Sequence, residues 1–223
     1  INNFTIKNCN MHLIHRGLVN NNYKENILIS FRESFRRGYG IETDIHVTKD
    51  EQFVCFHDRT LKRSFGINRS IKNTNYEELR KISKKGKAEI PLLKNLLKLS
   101  KKKFFLFIEI KPIFSIKLIK KLLLETKGYK KCVFISFEEK NIYNIIKLNK
   151  KIKVGLSFSY DTKSKTIYRK SNNKFVNCLI LDKYFLTNKI IKKIKKDKYF
   201  YTIKQKKDFI KFKEDNNLIF ENL

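Results

Sequence analysis

Residues 40–46 read GIETDIH and residues 104–111 read FFLFIEIK, and these two apolar runs decide the fold. Apolar residues typical of a buried strand surround carboxylates in both runs, Glu42 and Asp44 in the first and Glu109 in the second. Glu42 and Asp44 are two residues apart, so their side chains share one face of a strand. We therefore expect buried strands that carry acids toward their carboxyl ends.

Short apolar runs alternate with amphipathic, lysine-rich segments along the chain, which is the pattern of repeated βα units. Eight predicted strands favour the α/β class and a closed parallel barrel, a TIM-type (β/α)8 fold. The predicted strands are 11–15, 40–46, 104–110, 132–136, 152–157, 177–182, 198–203 and 217–220. The predicted helices are 25–38, 91–101, 115–126, 138–149, 187–196 and 205–213, with 158–174 as a long loop holding a short helix.

The interval from Val47 to Ile90 breaks this alternation. It begins with a turn-like stretch and a second apolar run at 53–57, then passes through polar clusters until Pro91. We interpret it as a small insertion after the second strand that covers one mouth of the barrel. Without a linker rich in Pro or Gly, residues 1–223 are predicted to form a single barrel domain with an insertion at about 47–90.

The 223 residues carry 51 Lys and Arg against 21 Asp and Glu, a net charge of +30 that would attract polyanions. The lysines lie on nearly every segment, which favours solvation of the helices over a dedicated nucleic-acid face. No specific nucleic-acid partner is therefore expected. The charge would concentrate small anionic substrates and favour a weak electrostatic contact with an anionic membrane.

Four cysteines, Cys9, Cys55, Cys132 and Cys178, show neither a CxxC pair nor metal-ligand spacing. Three of them lie in apolar runs, where Cys behaves as a small core residue, so a reducing, cytoplasmic location is expected. The sequence shows no signal-peptide pattern and no apolar stretch of membrane-spanning length. The chain begins with Ile rather than Met, which leaves open a segment upstream of it.

A parallel barrel brings the carboxyl ends of its strands to one mouth. Glu42, Asp44 and Glu109 would then form an all-oxygen site that suits one divalent cation, Mg²⁺ or Ca²⁺ rather than zinc. The alternative for each acid is an ion pair with a nearby Lys or Arg. For the three together we favour the cation, because like charges in apolar surroundings need a cation or a proton between them.

Histidines and cations flank these acids in the sequence. His15 and His57 titrate near neutrality and are the candidate acid–base pair for the attacking and leaving oxygens of a phosphodiester. Arg16 and Lys111 are candidates for binding the phosphate oxygens. The remaining residues of this kind are interpreted as structural or orienting: His12, His46 and Asp58.

In their order and spacing these residues resemble the glycerophosphodiester phosphodiesterase family. Its opening signatures are matched by HRG at 15–17 with Glu25-Asn26, by GIETDIHVTKD at 40–50 and by FHD at 56–58. Later matches are IPLL at 90–93, FIEIKP at 107–112 and ISF at 135–137. The similarity runs over most of the chain in unbroken order.

The resemblance implies a TIM-type barrel that hydrolyses glycerophosphodiesters to glycerol 3-phosphate and an alcohol. It also implies attack by the neighbouring glycerol hydroxyl, which gives a cyclic phosphate that water opens. The site residues it implies are the metal ligands Glu42, Asp44 and Glu109, the acid–base pair His15 and His57, and the phosphate ligands Arg16 and Lys111.

The chain departs from the family pattern in several places. Glu51 stands where the family commonly has Gly in a hairpin turn, and Ile27 stands where it usually has Thr. Residues 200–204 read FYTIK where a Trp-Thr pair is often found, and the last strand ends in Phe220-Glu221 rather than in a Gly-rich run with a final Asp. Substrate choice and closure of the barrel therefore stay open.

Two other functions use the same residues. A lysophospholipase D would act with the same cation and histidines on a substrate with an acyl chain, which needs apolar residues in the insertion or in loop 158–174. A non-enzymatic polyanion-binding module could keep the barrel, but it would not require all seven residues of the expected site.

Overall fold

The computed structural model describes residues 11–221, and eight of its strands form a closed parallel barrel. The barrel closes because β1 pairs with β9 on one side and with β2 on the other, whereas the short β3 pairs antiparallel with β2. The strands are β1 (Leu13–His15), β2 (Gly40–Val47), β3 (Phe53–Cys55), β4 (Leu106–Ile110), β5 (Cys132–Ser136), β6 (Val154–Phe158), β7 (Cys178–Asp182), β8 (Asp197–Ile203) and β9 (Asn217–Phe220). The predicted TIM-type fold class is confirmed.

Helices lie between successive barrel strands. They are α1 (Leu28–Arg36), α2 (Lys62–Phe65), α3 (Tyr76–Lys85), α4 (Leu93–Ser100), α5 (Ile116–Glu125), α6 (Glu139–Leu148), α7 (Ser164–Ser171), α8 (Lys189–Lys192) and α9 (Lys206–Phe212). The helix predicted at 187–196 is shorter, because the chain leaves α8 after one turn to enter β8. Within the described residues, every helix is too short or too polar to cross a lipid bilayer.

Alternation along each strand separates two apolar layers. On β4, Leu106, Ile108 and Ile110 pack toward the helices, whereas Phe107 joins a smaller cluster inside the barrel and Glu109 follows it on the same face. Burying an Ile or Phe side chain contributes about 1.5–3 kcal/mol, so the larger outer layer supplies most of the stability. Near the carboxyl ends of the strands, the inner face carries polar side chains, as Glu109 shows on β4.

The segment between β2 and α4 holds β3, α2, α3 and a single 3-10 turn at Ile71–Asn73. It has an apolar cluster of its own, which includes Phe56, Leu61 and Leu79. In the turn that leads into this segment, Glu51 adopts a left-handed conformation with a φ of +56°. A glycine would adopt this conformation without strain. The side chain of Glu51 accepts a 2.8 Å hydrogen bond from Lys117.

The described cysteines are core residues, as predicted. Cys55, Cys132 and Cys178 are free and buried, and burial raises the pKa of each thiol to about 12. They are therefore unreactive thiols at neutral pH. Cys9 lies outside the described residues.

Candidate active site

A cavity of about 500 Å³ opens at the carboxyl ends of the barrel strands. Asp44 lies beneath it and is only 1% exposed. The structure thus brings all seven predicted site residues to one place. Six of them line the cavity: His15, Arg16, Glu42, His57, Glu109 and Lys111.

Strand register explains how the three acids meet. His15 of β1 is level with Glu42 of β2, and Asp44 is level with Glu109 of β4. One carboxylate oxygen from each of Glu42, Asp44 and Glu109 can be chosen so that all three lie within 4.8 Å of one another. All three side chains are buried, so their charges are costly without a partner.

The pKa values of Glu42, Asp44 and Glu109, together called the trio, are shifted in different directions. Burial, reinforced by Asp44 and Glu109, raises the pKa of Glu42 well above its usual range, and burial with Asp44 raises the pKa of Glu109 to about 7. Although burial opposes it, Arg16 and Lys111 lower the pKa of Asp44 to about 2. The buried Oε2 of Glu42 has no hydrogen-bond partner. A cluster of carboxylate oxygens, one of which has no hydrogen-bond partner, is a suitable binding site for a hard divalent cation.

Two positively charged side chains, those of Arg16 and Lys111, contact the trio. Arg16 Nε lies 2.9 Å from Asp44 Oδ2, and Lys111 Nζ lies 2.8 Å from Glu109 Oε1 and 3.5 Å from Asp44 Oδ1. The ion-pair alternative therefore describes Asp44 and Glu109. Among the described residues, no Lys or Arg forms an ion pair with Glu42; the ring nitrogen Nε2 of His15 lies 3.7 Å from its Oε2.

His15 is held by a carboxylate from the far end of the chain. Its Nδ1 donates to Glu221 Oε2 at 3.2 Å, which leaves Nε2 on the side of Glu42. Glu221 also accepts from Lys204 Nζ at 2.6 Å, and the bond to His15, with that from Lys204, lowers the pKa of Glu221 to about 2. Glu221 is therefore ionised at neutral pH and fixes the tautomer and the orientation of the imidazole.

His57 is held in a similar way by the carboxylate of Asp58, which belongs to the insertion. Its Nδ1 donates to Asp58 Oδ1 at 2.6 Å, and Asp58 Oδ2 in turn accepts from Arg63 Nε at 2.5 Å. Burial lowers the pKa of His57, so the neutral ring with a free Nε2 predominates at pH 7. The orienting role expected for Asp58 agrees with this contact.

The two other histidines lie outside the cavity. His46 Nε2 donates to the backbone carbonyl of His57 at 2.9 Å and so supports the loop that carries that residue. His12 Nδ1 accepts from the backbone amide of Leu218, and its ring packs against Phe209. Both contacts agree with the structural interpretation of these histidines.

Sequence patterns gave Asn26 no role, yet it supports the trio directly. Its Nδ2 donates to Asp44 Oδ2 at 3.1 Å, its Oδ1 accepts from Thr43 Oγ1 at 2.7 Å, and it is only 2% exposed. Its φ of +56° is a conformation that Asn tolerates better than most residues. The one signal for Asn26 in the sequence is the Glu25-Asn26 pair, which matches the opening signature of the phosphodiesterase family. No local periodicity distinguishes Asn26 from its neighbours.

We expect Asn26→Ala to lower the free energy of unfolding by about 2–3 kcal/mol, because two buried hydrogen bonds are lost and Ala is strained at this φ. Urea denaturation measures the loss. Asn26→Gly is the matched control, since Gly accepts the conformation and so isolates the amide contribution. A midpoint for Asn26→Ala equal to that of the wild type would contradict the supporting role.

This fold and this mouth define the class: a TIM-type barrel with a pocket at the carboxyl ends of its strands, lined by acidic side chains, two histidines and the side chains of Arg16 and Lys111. The model of the glycerophosphoryl diester phosphodiesterase family matches residues 15–219, and the chain belongs to that family.

Individual relatives agree with this assignment. A glycerophosphodiester phosphodiesterase of Bacillus altitudinis is 35% identical over 107 residues, 44% of this chain and 43% of that protein. A lysophospholipase D of Homo sapiens is 42% identical over 69 residues, 30% of this chain and 22% of that protein. The matched segments thus span less than half of these relatives. The solved phosphodiesterase of Oleispira antarctica, in complex with the product sn-glycerol-3-phosphate, shares the fold with a TM-score of 0.81 at 20% identity, covering 95% of this chain and 92% of that one.

Proposed function

We propose that this protein hydrolyses glycerophosphodiesters to glycerol 3-phosphate and an alcohol, with a divalent cation and the two cavity histidines. The observation that carries the proposal is one cavity lined by two carboxylate-held imidazoles above a buried trio of acids with an unpartnered oxygen. Family membership and the product found in the Oleispira antarctica structure support the choice of substrate.

Glu42, Asp44 and Glu109 would hold the cation, with Mg²⁺ and Ca²⁺ as the candidates. When bound, the cation would polarise a phosphoryl oxygen and neutralise charge that develops in the transition state. Charge balance favours this set. With all three acids ionised around a bound divalent cation, the three carboxylates, the side chains of Arg16 and Lys111 and the metal ion would sum to one positive charge, which complements a singly charged phosphodiester.

Proton transfer falls to the histidines. With its pKa lowered by burial and its Nδ1 bonded to Asp58, His57 is suited to accept a proton at Nε2 from the attacking glycerol hydroxyl. His15, when its ring is protonated at both nitrogens, can keep its Nδ1 proton on Glu221 and donate the proton on Nε2 to the leaving alcohol oxygen, which leaves a neutral imidazole. For the water that opens the cyclic phosphate, the two roles reverse.

Arg16 and Lys111 would position the phosphate. Both line the cavity and are held at the trio by their contacts with Asp44, so little side-chain freedom is lost when substrate binds. Arg16 is braced further by Glu25, which accepts from its Nη1 at 3.1 Å. Their charges stabilise the phosphoryl oxygens in the ground state and in the transition state.

A head-group screen tests this proposal. We expect glycerol 3-phosphate to form from glycerophosphocholine and from glycerophosphoethanolamine when Mg²⁺ or Ca²⁺ is present, and we expect Asp44→Asn to remove that activity. Enzymatic detection of glycerol 3-phosphate is the measurement. Absence of the product from every diester with every cation would overturn the proposed reaction.

A second candidate, lysophospholipase D action, has one observation in its favour. A largely apolar cavity of about 350 Å³, lined in part by Val19, Phe56 and Phe65, adjoins the first and shares Glu25 and Arg63 with it. An alkyl chain could occupy it. If so, Val19→Lys will slow hydrolysis of lysophosphatidylcholine and spare that of glycerophosphocholine. If both rates change by the same factor relative to the wild type, this candidate is wrong.

A further inference from the structure

Lysines crowd the end of the barrel opposite the candidate site. The amino ends of β4 to β8 are neighbours in the sheet, and a short loop from the preceding helix enters each one. The loops are 101–105, 126–131, 149–153, 172–177 and 193–196, and they contain 13 Lys and no Asp, Glu or Arg. At the ratio of 51 basic to 21 acidic residues in the whole chain, about five acids would accompany 13 bases. The lysines look evenly spread along the sequence, but the fold gathers these 13 into one arc, here called the basic end.

These lysines are available to a partner. Within the part of the chain that the structure describes, none of the 13 forms an ion pair, and all except the half-buried Lys196 are exposed. Some are fixed by backbone carbonyls, as where Lys131 Nζ donates to Lys103 at 2.7 Å. Glu125 and Asp197 border the arc, and the next loop, 213–216, contains acids again. The 13 lysines of the basic end therefore far outnumber the two acids at its border, and its positive charge is local.

An apolar feature lies inside this arc. Four lysines of the basic end line a groove of about 640 Å³, together with Lys120 of α5 and apolar side chains that include Leu123, Phe134 and Ile152. Leu124, which also lines the groove, is 70% exposed, among the most exposed of the large apolar side chains that the structure describes. The four lysines are Lys127, Lys130, Lys151 and Lys153. An exposed leucine beside an apolar groove and among lysines without ion-pair partners suits the boundary between lipid head groups and acyl chains.

We propose that the basic end docks this protein on the surface of an anionic lipid bilayer. Lysines near such a surface each contribute to binding, and a broad arc of short loops presents many at once. The composition fits lipid better than nucleic acid, because the five loops contain no Arg to form bidentate contacts with bases or phosphates. Docked in this way, the protein turns its candidate site toward water. The inference does not depend on the proposed hydrolysis.

Co-sedimentation of the full chain with vesicles tests this docking. Vesicles of phosphatidylglycerol with phosphatidylcholine are compared with vesicles of phosphatidylcholine alone, over a range of salt concentrations. The test variant replaces the four groove lysines with Gln. The matched control removes the same charge at the opposite end of the barrel by replacing four exposed lysines with Gln: Lys49, Lys163, Lys165 and Lys183.

We expect salt-sensitive binding to the anionic vesicles alone, weakened about tenfold or more in the test variant and less than threefold in the control. Leu124→Ser should weaken binding with no change in net charge, which separates lipid insertion from attraction of any polyanion. Circular dichroism and glycerol 3-phosphate release should be unchanged in all three variants, because the substituted side chains are exposed and none of them lines the cavity of the candidate site.

Three outcomes would overturn the proposal. Equal losses in the test variant and in the control would mean that only the overall charge matters. Equal binding to neutral vesicles would remove the electrostatic contact. Tight binding of a DNA duplex by the basic end, without binding to vesicles, would assign this surface to nucleic acid instead.

Discussion

We expect His15→Ala to lower kcat for glycerophosphocholine by about 10²–10⁴-fold, the range typical for removal of a positioned acid–base group. His15 is the imidazole closest to the trio, with Nε2 3.7 Å from Glu42 and Nδ1 held by Glu221. Because its proposed task is proton donation to the leaving oxygen, KM should change little. Steady-state kinetics with saturating Mg²⁺ or Ca²⁺ measure both constants.

His12→Ala is the matched control for this variant. His12 belongs to the same segment of the chain, but its contacts are with Phe209 and the backbone of Leu218, away from the cavity. It should lose stability and keep its turnover within a few-fold of the wild type. Wild-type turnover in His15→Ala, or equal loss of turnover in both variants, would contradict the acid–base role.

We expect Glu42→Gln to lower kcat/KM by about 10³-fold while the metal-free protein becomes no less stable. Burial and like-charged neighbours already raise the pKa of Glu42, so a neutral amide of the same shape relieves repulsion at little cost. The variant loses a ligand for the cation instead. The split between activity and stability separates a ligand role from a purely structural one.

Thermal unfolding with and without the cation completes this test. The wild type should gain stability when Mg²⁺ or Ca²⁺ is added, because a ligand that binds only the native state shifts unfolding to higher temperature, and Glu42→Gln should show little gain. Glu139→Gln, which removes an acid paired with Lys170 on the outside of the barrel, should behave as the wild type. An undiminished thermal shift in Glu42→Gln would remove Glu42 from the cation site.

Much of the barrel follows from local patterns. Apolar runs of strand length predicted every barrel strand to within about two residues, because buried parallel strands need continuous apolar side chains. The two-residue spacing of Glu42 and Asp44 placed both on the inner face, and the barrel geometry brought Glu109 to them. The meeting of the acids was therefore predictable once the fold class was fixed.

Contacts between distant segments could not be predicted in this way. Glu221 and His15 are 206 residues apart, and no periodicity relates them; they meet because β9 closes the barrel against β1. Asn26 reaches Asp44 from a loop whose conformation depends on a positive φ. The helices α2 and α3 of the insertion were missed because their residues are mostly polar and exposed. The basic end appears only when the loops are placed side by side.

Removal of divalent cations tests the central claim most directly. Protein dialysed against EDTA and transferred to metal-free buffer should release no glycerol 3-phosphate from glycerophosphocholine, and Mg²⁺ or Ca²⁺ should restore the rate in proportion to occupancy of one site. Full turnover by protein shown to be metal-free would contradict a cation bound by Glu42, Asp44 and Glu109.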